Sequence, residues 1–267
     1  MNASILEARD CRFRYRGNGF RLDGVSLAVS AGEVVGIVGP NGSGKSTLLR
    51  LLSGILVPHG GEVLLEGRPI GTLGRRQLAR RLAFLPQSPE TSFHFRVREV
   101  VAMGRYPHLG AFGFPGEHDV DVVERALVQT DTESLAARVF ATLSGGEKQR
   151  VLIASVLAQE PAAMLLDEPT AALDIHHRSD VFDLLWRLSR SGIAVVTVTH
   201  DLNAASQFCD RLVLLKQGRV ARAGRPAEVM DARLLSDAYG ADVRIVDNPI
   251  TSGPMAIVPG RAAHEAT

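Results

Sequence analysis

Three groups of residues in this 267-residue chain have the types and spacing to do chemistry. Gly39-Pro40-Asn41-Gly42-Ser43-Gly44-Lys45-Ser46-Thr47 fits the pattern G-x-x-x-x-G-K-[ST]. Its glycines let successive backbone N–H groups turn inward around a phosphate, and a helix starting at its end adds partial positive charge. Lys45 has the reach for β- and γ-phosphates, and the Ser46 hydroxyl suits Mg²⁺. Met164-Leu165-Leu166-Asp167-Glu168 is an apolar run ending in two acids. Asp167 is placed to hold a nucleotide-borne Mg²⁺, and Glu168 to polarise an attacking water as a general base. Leu143-Ser144-Gly145-Gly146-Glu147 opens a helix, with Ser144 as N-cap and Glu147 completing a capping box. Ser144, Gly145 and Gly146 also bare backbone N–H groups at a positive helix end, which makes a second anion cradle. One nucleotide needs one cradle, so two cradles in one chain suggest two chains closing on shared nucleotide.

These groups need elements to position them. Val34–Val38 and Met164–Leu166 are continuous apolar runs, as expected of strands covered on both faces of a parallel sheet. Further strands are expected over Gly24–Val29, residues 62–66, Ile193–Val198 and Leu212–Lys216, the last pairing with Gly218–Gly224 as a hairpin. Helical spacing covers Thr47–Leu56, Arg75–Arg81, His176–Arg190 and Asp201–Phe208. The middle third is different: Val97–Gly104, Asp119–Thr130 and Gly145–Ala158 all read as helices with few strand signals between them. Residues of about 88–160 are therefore expected as a helical insertion in an α/β domain spanning 1–247, with helices on both faces of an open, mostly parallel sheet. From Asn248 the periodicity stops, and 248–267 is expected as a loose tail.

Composition removes other classes. Thirty Lys and Arg balance 29 Asp and Glu, leaving +1, which gives no electrostatic reason to expect nucleic acid as a partner. Cys11 and Cys209 cannot make a disulfide framework and lack ligand partners at metal spacing, so both are expected in the core. No apolar run approaches the roughly 18 residues of a membrane span. The first ten residues lack the apolar segment of a signal peptide.

Taken together the motifs resemble the ATP-binding subunit of an ABC transporter, over about residues 5–245. Gly39–Thr47 resembles the Walker A loop, Met164–Glu168 the Walker B strand, and Leu143–Gln149 the signature motif, with Glu147 where many members have Gln. Leu85-Pro86-Gln87 is similar to the Q-loop, Ala172-Leu173-Asp174 to the D-loop, His200 to the switch histidine, and Tyr15 to the adenine-stacking aromatic. The resemblance implies a P-loop ATPase of ABC type, with a mostly parallel core sheet, an antiparallel β subregion and a helical subdomain. It implies ATP and Mg²⁺ as cofactors, with Ser46, Gln87 and Asp167 organising the metal. Tyr15 would stack on adenine, Glu168 would activate water, and His200 would contact the γ-phosphate. Ser144, Gly145, Gly146 and Asp174 would face the nucleotide of a second copy of the chain.

Val100–Gly110, containing Gly104-Arg105-Tyr106-Pro107-His108-Leu109-Gly110, is similar to a segment of the ATPases of ferric siderophore, haem and cobalamin importers. That branch implies a peripheral subunit on the cytoplasmic face of the inner (plasma) membrane. It would dock on a multi-span permease through residues of about 88–115, and be served indirectly by a substrate-binding protein. Two other readings are weighed against it. A non-transport ABC ATPase of DNA repair or translation would show tandem cassettes, coiled coils or basic arms. A P-loop kinase of small metabolites would leave the second cradle unexplained.

Overall fold

The computed structural model describes residues 4–17, 19–87, 94–110, 113–171 and 173–259. The chain opens with an antiparallel pair, β1 (Ser4–Arg14) and β2 (Arg21–Ser30), which buries alternate residues such as Leu6, Ala8, Val25 and Leu27. β3 (Val34–Val38) follows, with every residue buried. The phosphate loop then leads into α1 (Lys45–Leu52). This helix starts earlier and ends sooner than its periodicity predicts. Gly44 takes a left-handed conformation at φ +107° and launches it at Lys45; Gly54, at φ +73°, turns the chain away. β4 (Gly60–Leu65) and β5 (Arg68–Pro69) complete a four-stranded antiparallel sheet of order β2-β1-β4-β5.

After the short α2 (Arg75–Ala79), β6 (Leu82–Leu85) enters the main sheet. The middle third is helical as expected: α3 (Val97–Ala102), α4 (Glu117–Gln129) and α5 (Gly145–Leu157) are joined by 3₁₀ turns. β7 (Ala163–Asp167), α6 (Ile175–Arg190), β8 (Ala194–Val198), α7 (Leu202–Phe208) and β9 (Arg211–Lys216) restore the alternation. β10 (Arg219–Gly224) returns beside β9 as an antiparallel edge. The main sheet has the order β10-β9-β3-β8-β7-β6, and its five strands from β9 to β6 are parallel.

Strand period explains how one sheet serves two cores. Val35 and Ile37 of β3, Leu165 of β7, Val196 of β8 and Val213 of β9 point to one cluster, shared with α1 and the antiparallel sheet. Val34 and Val38, Met164 and Leu166, Val195, and Leu212 and Leu214 point to the other, shared with α3, α4, α5 and α6. Helices thus lie on both faces, as expected, with one face covered by helices alone. The other is covered by α1 together with the antiparallel sheet.

α8 (Pro226–Val229) and α9 (Ala232–Tyr239) precede a difference from the sequence reading. β11 (Arg244–Asp247) and β12 (Pro254–Ile257) pair as a hairpin, which corrects the expectation of a loose tail from Asn248 as far as Ile257. Ile245 and Ala256 pack the hairpin against the core, and hydrogen bonds from α7 fix it there. Asn203 donates to Ala256 O and accepts from Ala256 N, and Ser206 donates to Pro254 O. Two polar residues on α7 carry no periodic signal, so the docking was invisible in the sequence. Residues 260–267 lie outside the described residues. Among the described residues no helix is long and apolar enough to cross a membrane.

Candidate nucleotide site

The carboxyl ends of parallel strands are where ligands bind in open α/β sheets. The phosphate loop lies at that edge, between β3 and α1, with the acids at the end of β7 beside it. A cleft of about 380 Å³ is lined by Tyr15, Phe20, Asn41, Gly42, Gly44, Lys45, Ser46, Thr47 and Glu168. The sequence reading named all of these except Phe20.

Gly39 and Pro40 are not among the lining residues, and their carbonyls accept from Lys45 Nζ at 2.9 and 3.0 Å. Gly39 has φ +146°, and a Cβ there would lie 2.2 Å from Leu215 O, so no other residue fits. Ser43 is buried, with its backbone N–H given to Pro40 O. Burial lowers the Lys45 ammonium below the usual lysine range, against the pull of Glu168 and Asp167. An incoming phosphate would return the charge partner that burial has taken from water.

Ser46 Oγ donates to Asp167 Oδ1 at 3.1 Å. Burial raises the Asp167 carboxyl above the usual carboxylate range, opposed by the Ser46 hydrogen bond and helped by neighbouring Glu168. Hydroxyl and carboxylate oxygen side by side are hard donors of the kind Mg²⁺ takes. Among the described residues no group of three or more His, Cys, Asp or Glu could hold an ion alone.

Glu168 is the meeting point of three segments. It stands in the left-handed region at φ +50°, a strained conformation that costs on the order of 1–3 kcal/mol and persists where neighbours hold it. Its backbone N–H is given to Val198 O at the end of β8. Gln87, just past β6, donates to Glu168 Oε2 at 2.9 Å, and His200 Nδ1 lies 3.5 Å from the same oxygen. Gln87, Glu168 and His200 thus come together from three strand ends.

Ser144, Gly145, Gly146 and Asp174 do not line this cleft. Ser144 caps α5: its Oγ accepts from Glu147 N, and Glu147 accepts from Ser144 N at 2.8 Å. Asp174 caps α6 through His177 N. Ala172 of the same loop lies outside the described residues.

Two residues near the site escaped the sequence reading. Phe20 follows from hairpin register: Arg14 faces Arg21, so the next pair outward is Tyr15 and Phe20, whose rings are 6.4 Å apart. The register was the available signal, since both aromatics flank the glycine turn. Tyr239 of α9 lies against Gly39, its phenol pushed up to about 12 by burial. No signal near residue 239 pointed there.

The loop around Arg105 is built from within. Arg105 is 2% exposed; Nε donates to Asp119 and Nη1 to Ala158 O and Glu160, all at 2.7–2.8 Å. Gly104 packs on α5 so closely that a Cβ would sit 2.0 Å from Ser155 O. His108 bonds Gln159 O, while Arg76 and Arg80 both donate to Pro107 O.

Comparison with known proteins agrees with this geometry. The ABC transporter family profile matches residues 22–171, from β2 past the acids of β7. The hemin import ATP-binding protein HmuV of Thermobifida fusca (strain YX) is 48% identical over 239 residues, 88% of this chain and 82% of that one. This chain belongs to the ABC transporter family. As an ATP-binding subunit of that family it is an ATPase, with the P-loop fold its motifs implied. A solved inward-facing metal-chelate type ABC transporter superposes with TM-score 0.86 at 28% identity, covering 98% of this chain and all of the other. A dimeric ABC cassette bound to ADP and Pi in a post-hydrolysis state gives TM-score 0.72 at 31% identity, over 83% of this chain and 99% of that one. Family cassettes form dimers, and import ATP-binding subunits work with a membrane permease.

Proposed function

We propose that this ATPase is the motor of an importer for haem, cobalamin or a ferric siderophore, haem being favoured by the Thermobifida relative. The observation that carries the mechanism is the separation of two anion cradles. Lys45 and the loop amides line a cleft, while Ser144–Gly146 offer a capped helix tip outside it. A twin chain would bring its own tip to the γ-phosphate held by the first, so nucleotide glues the dimer and hydrolysis releases it. The dimeric relative bound to ADP and Pi supports that arrangement.

Within one cleft Tyr15 and Phe20 receive the base, and Lys45 leaves its two carbonyls for the β- and γ-phosphates. Ser46, Asp167 and Gln87 would hold Mg²⁺, which supplies charge neutralisation at the phosphoryl oxygens when bound. Glu168 takes the proton of the attacking water, with His200 beside it. Donors converging on the transferring phosphoryl from both chains provide the electrostatic stabilisation this reaction mainly needs.

Gln87 belongs to both the site and the start of the helical insertion, so loss of its bond to Glu168 on nucleotide binding is a route to the permease. Residues of about 88–115 would receive that partner, on the cytoplasmic face of the membrane. Phe95, Tyr106 and Phe114 are the exposed large apolar residues described there; 88–93 and 111–112 lie outside the described residues. A substrate-binding protein would deliver cargo to the permease.

Glu168→Gln tests the mechanism: ATP should bind, turnover should stop, and light scattering should report an ATP-dependent dimer. A monomer at saturating ATP would overturn it. Deleting the gene tests the cargo: growth on haemin as sole iron source should be lost and restored by the intact chain but not by Glu168→Gln. Unchanged growth would remove haem from the proposal.

A further inference from the structure

The tip of α5 and the loop before α6 are distant in sequence, yet both are to be presented to the twin's nucleotide. His177, on the first turn of α6, joins them. One edge of its ring is held by the loop: Nδ1 lies 2.7 Å from Asp174 Oδ1, and the His177 backbone N–H donates to the same oxygen at 3.0 Å. Those two bonds hold the Asp174 carboxyl below the usual carboxylate range, the backbone bond first. The ring's other edge lies flat on Gly146. A Cβ there would fall 2.3 Å from His177 Cδ2, 2.7 Å from Cγ and 3.1 Å from Nε2.

Gly146 is not a glycine for its backbone angle, since it is absent from the positive-φ residues. Its missing side chain is the imidazole's seat. The next residue anchors the same turn from behind: Arg178 Nε donates to Leu173 O at 2.8 Å, and its Nη1 lies 3.8 Å from Asp201, which follows His200. The loop before α6 is thus pinned on both sides by consecutive side chains of one helical turn.

We propose that His177 is a positioning residue for ATP hydrolysis: a spacer that sets the distance between the Ser144–Gly146 cradle and the Asp174 loop, so that both meet the twin's nucleotide together. The proposal rests on the sandwiched dimer described above. A cradle displaced by about 1 Å loses on the order of 10²-fold in rate, because its donors no longer meet the phosphoryl where charge develops. His177 touches no part of the chain's own cleft. Its removal should therefore spare nucleotide capture at Lys45 and impair what happens after two chains meet.

Steady-state ATPase, ATP affinity of the dilute monomer and ATP-driven dimerisation in the Glu168→Gln background are measured together. For His177→Ala, kcat falls 10-fold or more, monomer affinity stays within about twofold, and the ATP concentration for half-dimerisation rises about 10-fold. His177→Asn keeps a side chain that can bond Asp174 but lacks the ring's width, and shows the same split. The second arm relieves the predicted clash. Gly146→Ala alone falls below His177→Ala because its methyl meets the imidazole, and Gly146→Ala with His177→Ala returns to about the level of His177→Ala alone. A double variant no better than Gly146→Ala overturns the proposal, as does a His177→Ala enzyme with unchanged kcat. Failure of Glu168→Gln itself to dimerise with ATP would instead refute the sandwiched dimer. Matching thermal midpoints for all variants exclude loss of folding as the cause.

Discussion

Arg105→Met would show what the sequence segment Gly104–Leu109 is for. The guanidinium is 2% exposed and satisfies three acceptors that the methionine cannot. The Asp119 side chain is 15% exposed, so losing its charge-assisted bond costs about 1.5–3 kcal/mol. The Ala158 carbonyl, at the end of α5, is left without its buried donor at about 1–3 kcal/mol. Glu160 is 42% exposed and water replaces most of that pair, so it adds well under 1 kcal/mol. Methionine fills part of the volume and returns some apolar contact, leaving a net loss of about 3 kcal/mol. For a chain of this size that is a fall of roughly 6–12 °C in thermal midpoint, at about 2–4 °C per kcal/mol. Calorimetry measures the midpoint, and hydrogen exchange tells where protection is lost. It should fall over 103–109 and at the C-terminal end of α5, with ATP affinity unchanged because the cleft is remote. A midpoint within about 1 °C of the parent, or loss of ATP binding, would show that Arg105 does not hold this loop in the way described.

The other predictions concern the cleft, the core thiols and the terminal hairpin. Tyr15→Ala should weaken ATP about 5- to 100-fold by titration calorimetry, the loss of one aromatic stacking partner, and Phe20→Ala less. Chelating divalent ions should abolish turnover, and Ser46→Ala should raise the Mg²⁺ concentration needed to restore it; an unshifted Mg²⁺ dependence would remove Ser46 from the metal. Cys209, its thiol pushed up to about 12 by burial, and buried Cys11 should resist a thiol reagent at pH 8 until the chain unfolds; prompt reaction of the native chain would contradict their burial. Asn203→Ala removes both side-chain bonds to Ala256 and should free the amides of β11 and β12 to exchange while ATPase activity persists.

The sequence carried the chemistry better than the architecture. Gly39–Thr47, Asp167 and Glu168 were legible because phosphate binding needs local backbone geometry, and local geometry is written in consecutive residues. Ser144 and Asp174 were legible as caps, since an N-cap and its partner lie three residues apart. Contacts between distant segments were not. Nothing around residue 87 or 200 announces that Gln87 and His200 converge on Glu168; the resemblance implied only that all three serve one nucleotide, and the strand order β8-β7-β6 explains their meeting. That the antiparallel sheet shares the second face with α1 is not written in the strands, because a strand buried on both sides looks the same whether a helix or another sheet covers it. The terminal hairpin was missed because Asn203 and Ser206 hold it by hydrogen bonds that leave no periodic trace. The seat of His177 on Gly146 was hidden for the same reason: a glycine required for contact looks like a glycine required for a turn.

The central claim is that each γ-phosphate is held by two chains. A structure of Glu168→Gln with ATP and Mg²⁺ tests it directly. A two-fold dimer is expected, in which Lys45 of one chain and the Ser144 hydroxyl with the Gly145 and Gly146 amides of its twin share one γ-phosphate. An ATP-filled cleft in which no second chain reaches that phosphate would contradict it.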